Sequence, residues 1–185
     1  MASIPPVCDF GWQAVDAVLP GTDGKRHSVL GQAGPNGLVV AFICNHCPYV
    51  RAVIDRIVRD AADLKPRGIG FVAVNSNDAS AYPADSFDKM KLFAAERGFG
   101  FAYLQDEDQT LARAYGAACT PDFFGFNRDL KLQYRGRLDA SRKEVGPSEM
   151  RRDLFEAMAE IARTGQGPRD QIASVGCSIK WKDAA

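Results

Sequence analysis

Histidine is scarce in this sequence: His27 and His46 are the two among 185 residues. Structural zinc sites take four protein ligands, mostly Cys and His, and the one C-x-x-C has no second to pair with, so a zinc-built domain is disfavoured. An excess of charge of either sign is lacking too. Basic and acidic side chains number 23 each, which removes the broad electrostatic footprint that binding to nucleic acid or an anionic membrane requires. No apolar run has the length needed to cross a bilayer. The start, Met1 to Phe10, lacks the basic and then apolar regions of a secretory leader. Internal repeats, low-complexity tracts and long charge runs are also missing.

What stands out is cysteine, at five residues. An odd count, in a chain large enough to bury a proper core, argues against a secreted disulfide framework. Reduced thiols in the cytoplasm are the expectation, with redox chemistry or metal binding as their use.

Strand and helix patterns alternate along the chain. Gln13 to Leu19 and Lys25 to Leu30 flank Gly21-Thr22-Asp23-Gly24, whose Asp-Gly supplies the positive φ of a hairpin turn. Leu38 to Ile43 is a continuous apolar run, the signature of a strand covered on both faces. Val50, Val53, Ile54, Ile57, Val58, Ala61 and Leu64 then recur at helical spacing until Pro66-Arg67-Gly68. Ile69 to Asn75 is a second apolar strand, so a βαβ unit with parallel strands is predicted. Ser86 to Arg97 reads as a helix containing Phe87, Met90, Leu92, Phe93 and Ala94. Phe101 to Leu104 reads as a strand and Asp106 to Tyr115 as a helix with acids in its first turn. Phe123 to Phe126 and Leu132 to Leu138 form an antiparallel hairpin, and Ser148 caps a last helix to about Arg163. The fold class is α/β, with a mixed β-sheet flanked by helices, an N-terminal hairpin and a C-terminal tail. Residues 1–185 make one domain, with a core of about 9–164 and a tail over 165–185.

The junction between the first buried strand and its helix reads Cys44-Asn45-His46-Cys47-Pro48. Proline lacks an N–H and fits only the first turn of a helix. That predicts Cys44 at or near the N-cap, where unpaired N–H groups and the positive dipole end favour a thiolate. Cys47, a turn later, is then placed to attack a mixed disulfide on Cys44. C-x-x-C beside a βαβ pattern is a general thioredoxin-like signature. His46, when protonated, would stabilise the thiolate and tune the redox potential. Buried inert cysteines and a solvated histidine are the plain alternatives. No metal site and no organic cofactor is called. Asn75-Ser76-Asn77-Asp78 reads as a loop, and Asp106, Glu107 and Asp108 as groups serving a helix N-terminus.

Cys119-Thr120-Pro121-Asp122 lies just before the hairpin. A C-x-x-C at a strand-to-helix junction, then Thr-Pro opening an antiparallel hairpin, then a terminal helix, resembles the thioredoxin superfamily. More closely, Cys-Asn-His-Cys-Pro-Tyr, Ala-Cys-Thr-Pro-Asp-Phe-Phe and Gly-Cys-Ser-Ile-Lys-Trp look like a bacterial group of thioredoxin-family, peroxiredoxin-like (redoxin) proteins, over about Asp9 to Trp181. The resemblance implies a thioredoxin-like fold, catalytic Cys44 and Cys47, and a cis-proline at Pro121. Thr120 and Pro121 would then offer backbone to an extended substrate. Two departures matter. Leu38 stands where thioredoxin has a buried Asp, so a proton acceptor must come from elsewhere. Cys44 and Pro121 stand where peroxiredoxins carry Thr and Arg, which removes two donors that would polarise a peroxide.

The expected function is therefore thiol–disulfide exchange through Cys44 and Cys47. A thiol peroxidase is the alternative enzyme, and a copper chaperone using Cys44, Cys47 and a histidine is the alternative binding module. Partners would be protein or small-molecule disulfides or peroxide, and a thiol reductant, with no nucleic acid or membrane. Cys119 is a possible third thiol, although packing suits a cysteine there. Cys177 and Cys8 lie in terminal extensions with no redox role supported by spacing.

Overall fold

A computed structural model describes residues 2–6, 8–141, 144, 146, 147 and 150–182. β1 is Ala2–Ser3. A short hairpin follows, β2 (Val18–Pro20) and β3 (Arg26–Ser28), turned through Gly24 at φ +81°. β4 (Gly37–Phe42) is buried at every position. It feeds α1 (Pro48–Leu64), which buries Val50, Val53, Ile54, Ile57, Ala61 and Leu64 along one face. Gly68, left-handed at φ +74°, turns the chain into β5 (Ile69–Asn75).

Asn36 N donates to Gly68 O at one end of this pair, and Ile43 N to Val74 O at the other. Like ends therefore meet, and β4 and β5 run parallel, as predicted. α2 (Phe87–Glu96) buries Met90 and Phe93 but leaves Leu92 exposed, because its apolar stripe is narrow. β6 (Ala102–Gln105) extends the sheet parallel to β5.

α3 (Thr110–Tyr115) is shorter than predicted. Asp106 stays outside the helix and caps it from below, accepting from Leu111 N and Ala112 N at 3.2 and 2.9 Å. The expected service of this acidic stretch to a helix N-terminus is thus met. β7 (Cys119–Thr120), β8 (Asp122–Asn127) and β9 (Leu132–Gly136) come next, with β8 antiparallel to both β4 and β9. α4 (Asp153–Thr164) starts later than predicted, and Ser148 lies outside the described residues. Arg152, just ahead of it, pairs with buried Asp60 and with Asp63 and so ties its start to α1.

The result is a mixed sheet in the order β9-β8-β4-β5-β6, covered on both faces. Val39, Ala41 and Ile43 pack with α1 and α4 on one side. Leu38, Val40 and Phe42 pack with α3 and the N-terminal segment on the other. Each fully buried Ile, Leu or Phe contributes about 1.5–3 kcal/mol of burial free energy, which is why β4 holds its C-terminal end rigidly in place. The tail returns as β10 (Gly176–Ser178), paired antiparallel between β1 and β7. No helix among the described residues is long and apolar enough to cross a membrane.

Candidate active site

The C-terminal end of β4 delivers Cys44, and three residues later the chain enters α1. The N-cap is Cys47 (φ −65°, ψ 122°), with Pro48 as the first helical residue. Cys44, expected at or near the cap, stands three residues before it. Proline forces its predecessor into an extended conformation, so the residue immediately before Pro48 must be the cap. Both thiols are shut away from solvent, Cys44 at 1 % exposure and Cys47 at 0 %.

The two sulfurs are pushed in opposite directions. A hydrogen bond from the Cys44 thiol lowers Cys47 most; burial opposes it, and the Cys177 thiol and the Val50 and Cys177 amides also favour the thiolate. The result is a Cys47 pKa of about 5. As a thiol, Cys47 donates to Thr120 O at 3.1 Å. Cys44 is pushed up by its bond to Cys47, by burial and by the negative Asp85, against a smaller pull from Thr120 Oγ1 at 3.3 Å. Of the two, Cys47 is the thiol at the N-cap of α1, next to the positive end of the helix dipole.

Asp85 is the residue that sequence reasoning missed on the Cys44 side. It sits on a short turn, Pro83–Asp85, and is 1 % exposed. Asn45 N donates to its Oδ1 at 2.8 Å, while His46 Nδ1 and Asn77 Nδ2 meet its Oδ2 at 2.7 and 2.8 Å. His46 also stacks on Tyr82, with centroids 5.7 Å apart. Asn45 is pinned further by the Tyr103 hydroxyl at 2.9 Å. Cys44, His46 and Asp85 bring ligand-type atoms within 4.8 Å of one another. Asp85 already spends both oxygens on these hydrogen bonds, so the trio is built as a charge network, and Cys47 is not part of it. Asn77, on the stretch read as a plain loop, also accepts from Lys180 N at 2.9 Å and thereby anchors the tail.

On the other side stands the 118–122 loop, with the Thr120–Pro121 peptide cis, as predicted. Asp122, fully buried, takes Arg135 Nη2 at 3.0 Å and Ala118 N at 3.1 Å. That ion pair braces the loop. Thr120 faces both cysteines, but its backbone edge is not open. β10 occupies it, with Cys177 opposite Thr120 and Ser178 opposite Cys119. Cys177, left without a role by spacing, is thereby brought opposite Thr120, whose carbonyl oxygen Cys47 meets. Cys119 is buried, with Sγ directed at Pro121 O at 3.5 Å, and burial pushes it up. Cys8 packs on the far side of the sheet, and His27 lies in the hairpin, bonded to Asp23.

Residues 10–154 match the Redoxin family. The chain belongs to that family. Among solved structures, this Redoxin-family chain is 44% identical to a conserved protein from Geobacillus kaustophilus, with a TM-score of 0.93 over 100% of this chain and 98% of that one. It is 35% identical to a hypothetical protein from Sinorhizobium meliloti 1021, with a TM-score of 0.92 over 98% and 100%. A peroxidoxin from Mycobacterium tuberculosis, 18% identical, shares the fold with a TM-score of 0.61 over 83% and 96%. No curated protein matches the chain. Fold and family together make this a thioredoxin-like redox protein.

Proposed function

We propose that this Redoxin-family protein is a thiol–disulfide oxidoreductase that works through Cys44 and Cys47, with Cys47 as the attacking thiolate. The observation that carries this reading is placement: Cys47 caps α1 at its dipole end and meets Thr120 beside the cis-proline, while Cys44 stands at the end of β4 next to the buried carboxylate of Asp85, which with burial pushes its thiol up. The Cys47 thiolate attacks one sulfur of a disulfide and expels the other as a thiolate, which takes a proton from solvent. Cys44 then attacks the Cys47 sulfur, closes the Cys44–Cys47 bond and releases the second substrate thiol. Its proton passes to the His46–Asp85 pair, which supplies the acceptor that Leu38 denies the strand.

Burial of both sulfurs suits small disulfides, or protein disulfides admitted when the tail lifts. A small groove adjoins Pro121, lined by Tyr49, Phe123, Arg137, Leu138 and Ile172. A cytoplasmic setting and an external thiol reductant belong to the same proposal. The burial also favours a second reading, reduction of a peroxide small enough to reach Cys47, which would pass through a sulfenic acid.

The test is turnover of glutathione disulfide and of insulin with dithiothreitol as reductant. Cys47→Ser is expected to abolish both, and retention of activity would overturn the assignment. Peroxide consumption far above that of a free thiol, without disulfide turnover, would select the second reading.

A further inference from the structure

β10 does to β7 what an extended substrate would do: it adds an antiparallel strand to the Thr120 edge. Its central residue is a cysteine, paired in register with Thr120, whose carbonyl oxygen Cys47 Sγ meets at 3.1 Å, and its side chain packs against the core cluster that contains Cys47. The close approach is built into the sequence, because a Cβ on Gly176 would strike the Thr120 carbonyl oxygen. The strand is held on both flanks. Ala2 pairs with Cys177 on one side, and Lys180 bonds Asn77 and Asp78 beyond it. Three cysteines thus converge on Thr120: Cys44 at its hydroxyl, Cys47 at its carbonyl, and Cys177 across the strand pair. The two flanking thiols differ in access: Cys44 is sealed, whereas Cys177 is partly open to solvent.

We propose that Cys177 is a second resolving residue for Cys47, carried into the site by the tail strand, and that the Cys47–Cys177 disulfide is the form an external thiol reduces. This deepens the exchange reading and rests on it. In the step, Cys47 holds the substrate as a mixed disulfide. The Cys177 sulfur attacks Cys47 Sγ, the Cys47–substrate bond breaks, and the substrate leaves as a thiolate that takes the proton Cys177 gives up. An external thiolate then attacks Cys177 Sγ, the partly exposed sulfur, and Cys47 leaves as its stable thiolate. A second external thiol releases Cys177. With the tail docked, a Cys44–Cys47 bond offers a reductant two buried sulfurs; a Cys47–Cys177 bond offers one within reach.

The experiment uses the full chain with Cys44→Ser and an aromatic disulfide, dithiobis(nitrobenzoate), whose released thiol is coloured. Peptide mass spectrometry identifies the linkages. The expected result is a nitrothiobenzoate adduct on Cys47 that decays with a second release, leaving a Cys47–Cys177 bond. Adding Gly176→Val, which keeps every other thiol and lifts the strand, should slow that second release by about tenfold or more, since resolution depends on the tethered geometry. A Cys47 adduct that persists with no Cys47–Cys177 bond overturns the inference and leaves the exchange reading intact. If Cys47 takes up no adduct in either the parent or the Cys44→Ser chain, both fall together.

Discussion

Replacing Cys44 by Ala removes the largest single influence on Cys47, the thiol that donates to its thiolate. A hydrogen bond to a charged partner contributes about 1.5–3 kcal/mol, and one pK unit corresponds to about 1.36 kcal/mol. The sign follows from which form the bond favours. Losing a donor destabilises the thiolate, so the Cys47 pKa must rise, by about 1–2 units on those figures. From about 5 in the parent chain, the variant should titrate at roughly 6–7. Thiolate ultraviolet absorbance against pH reads this directly. The remaining thiols do not interfere: burial raises Cys8 and Cys177 to about 11 and pushes Cys119 up as well. The rate of iodoacetamide alkylation should follow the same curve. A parent midpoint near the ordinary thiol value of about 8.5, or a variant midpoint that does not move, refutes the assigned hydrogen-bond pattern.

Three other outcomes are expected. Asp85→Asn keeps the shape of the turn but removes the charge that accepts the Cys44 proton; resolution of a mixed disulfide on Cys47 should slow by about 10²-fold, seen as its accumulation in quenched samples. Arg135→Met leaves Asp122 as an uncompensated buried carboxylate, which should cost about 3–5 kcal/mol by urea unfolding, and an unchanged midpoint would contradict the bracing role. Because a stabilised Cys47 thiolate stabilises the reduced pair, the reduction potential against glutathione should lie at roughly −200 mV, less negative than thioredoxin's −270 mV or so.

Much of this was legible in the sequence because it is local. The apolar run at Leu38 to Ile43, the helical spacing from Val50 to Leu64 and the proline after Cys47 fix strand, helix and the place of the dithiol between them. Thr120–Pro121 was found by its order relative to that pair. The cap lies at Cys47, three residues past Cys44, because proline holds its predecessor in an extended conformation. Asp85 and Cys177 were invisible for a different reason. Asp85 has no neighbour in sequence that marks it and reaches the site from the turn after β5, while Cys177, although within the Gly-Cys-Ser-Ile-Lys-Trp motif, arrives through a strand pairing made only in the folded chain. The small residues on either side of Cys177, Gly176 and Ser178, were the one available hint of a close backbone approach. Helix starts were also blurred. Asp106 and its neighbours look like a first turn, yet Asp106 caps from outside, and the acids before Thr110 stay in the loop.

The most direct measurement is a single turnover of the fully reduced chain with glutathione disulfide, quenched by acid and read by peptide mass spectrometry. The expected sequence is glutathione on Cys47 first, followed in the parent chain by a disulfide joining Cys47 to Cys44 or, through the tail, to Cys177. Glutathione found first on Cys44, with Cys47 still free, would contradict the central claim that Cys47 is the attacking thiolate.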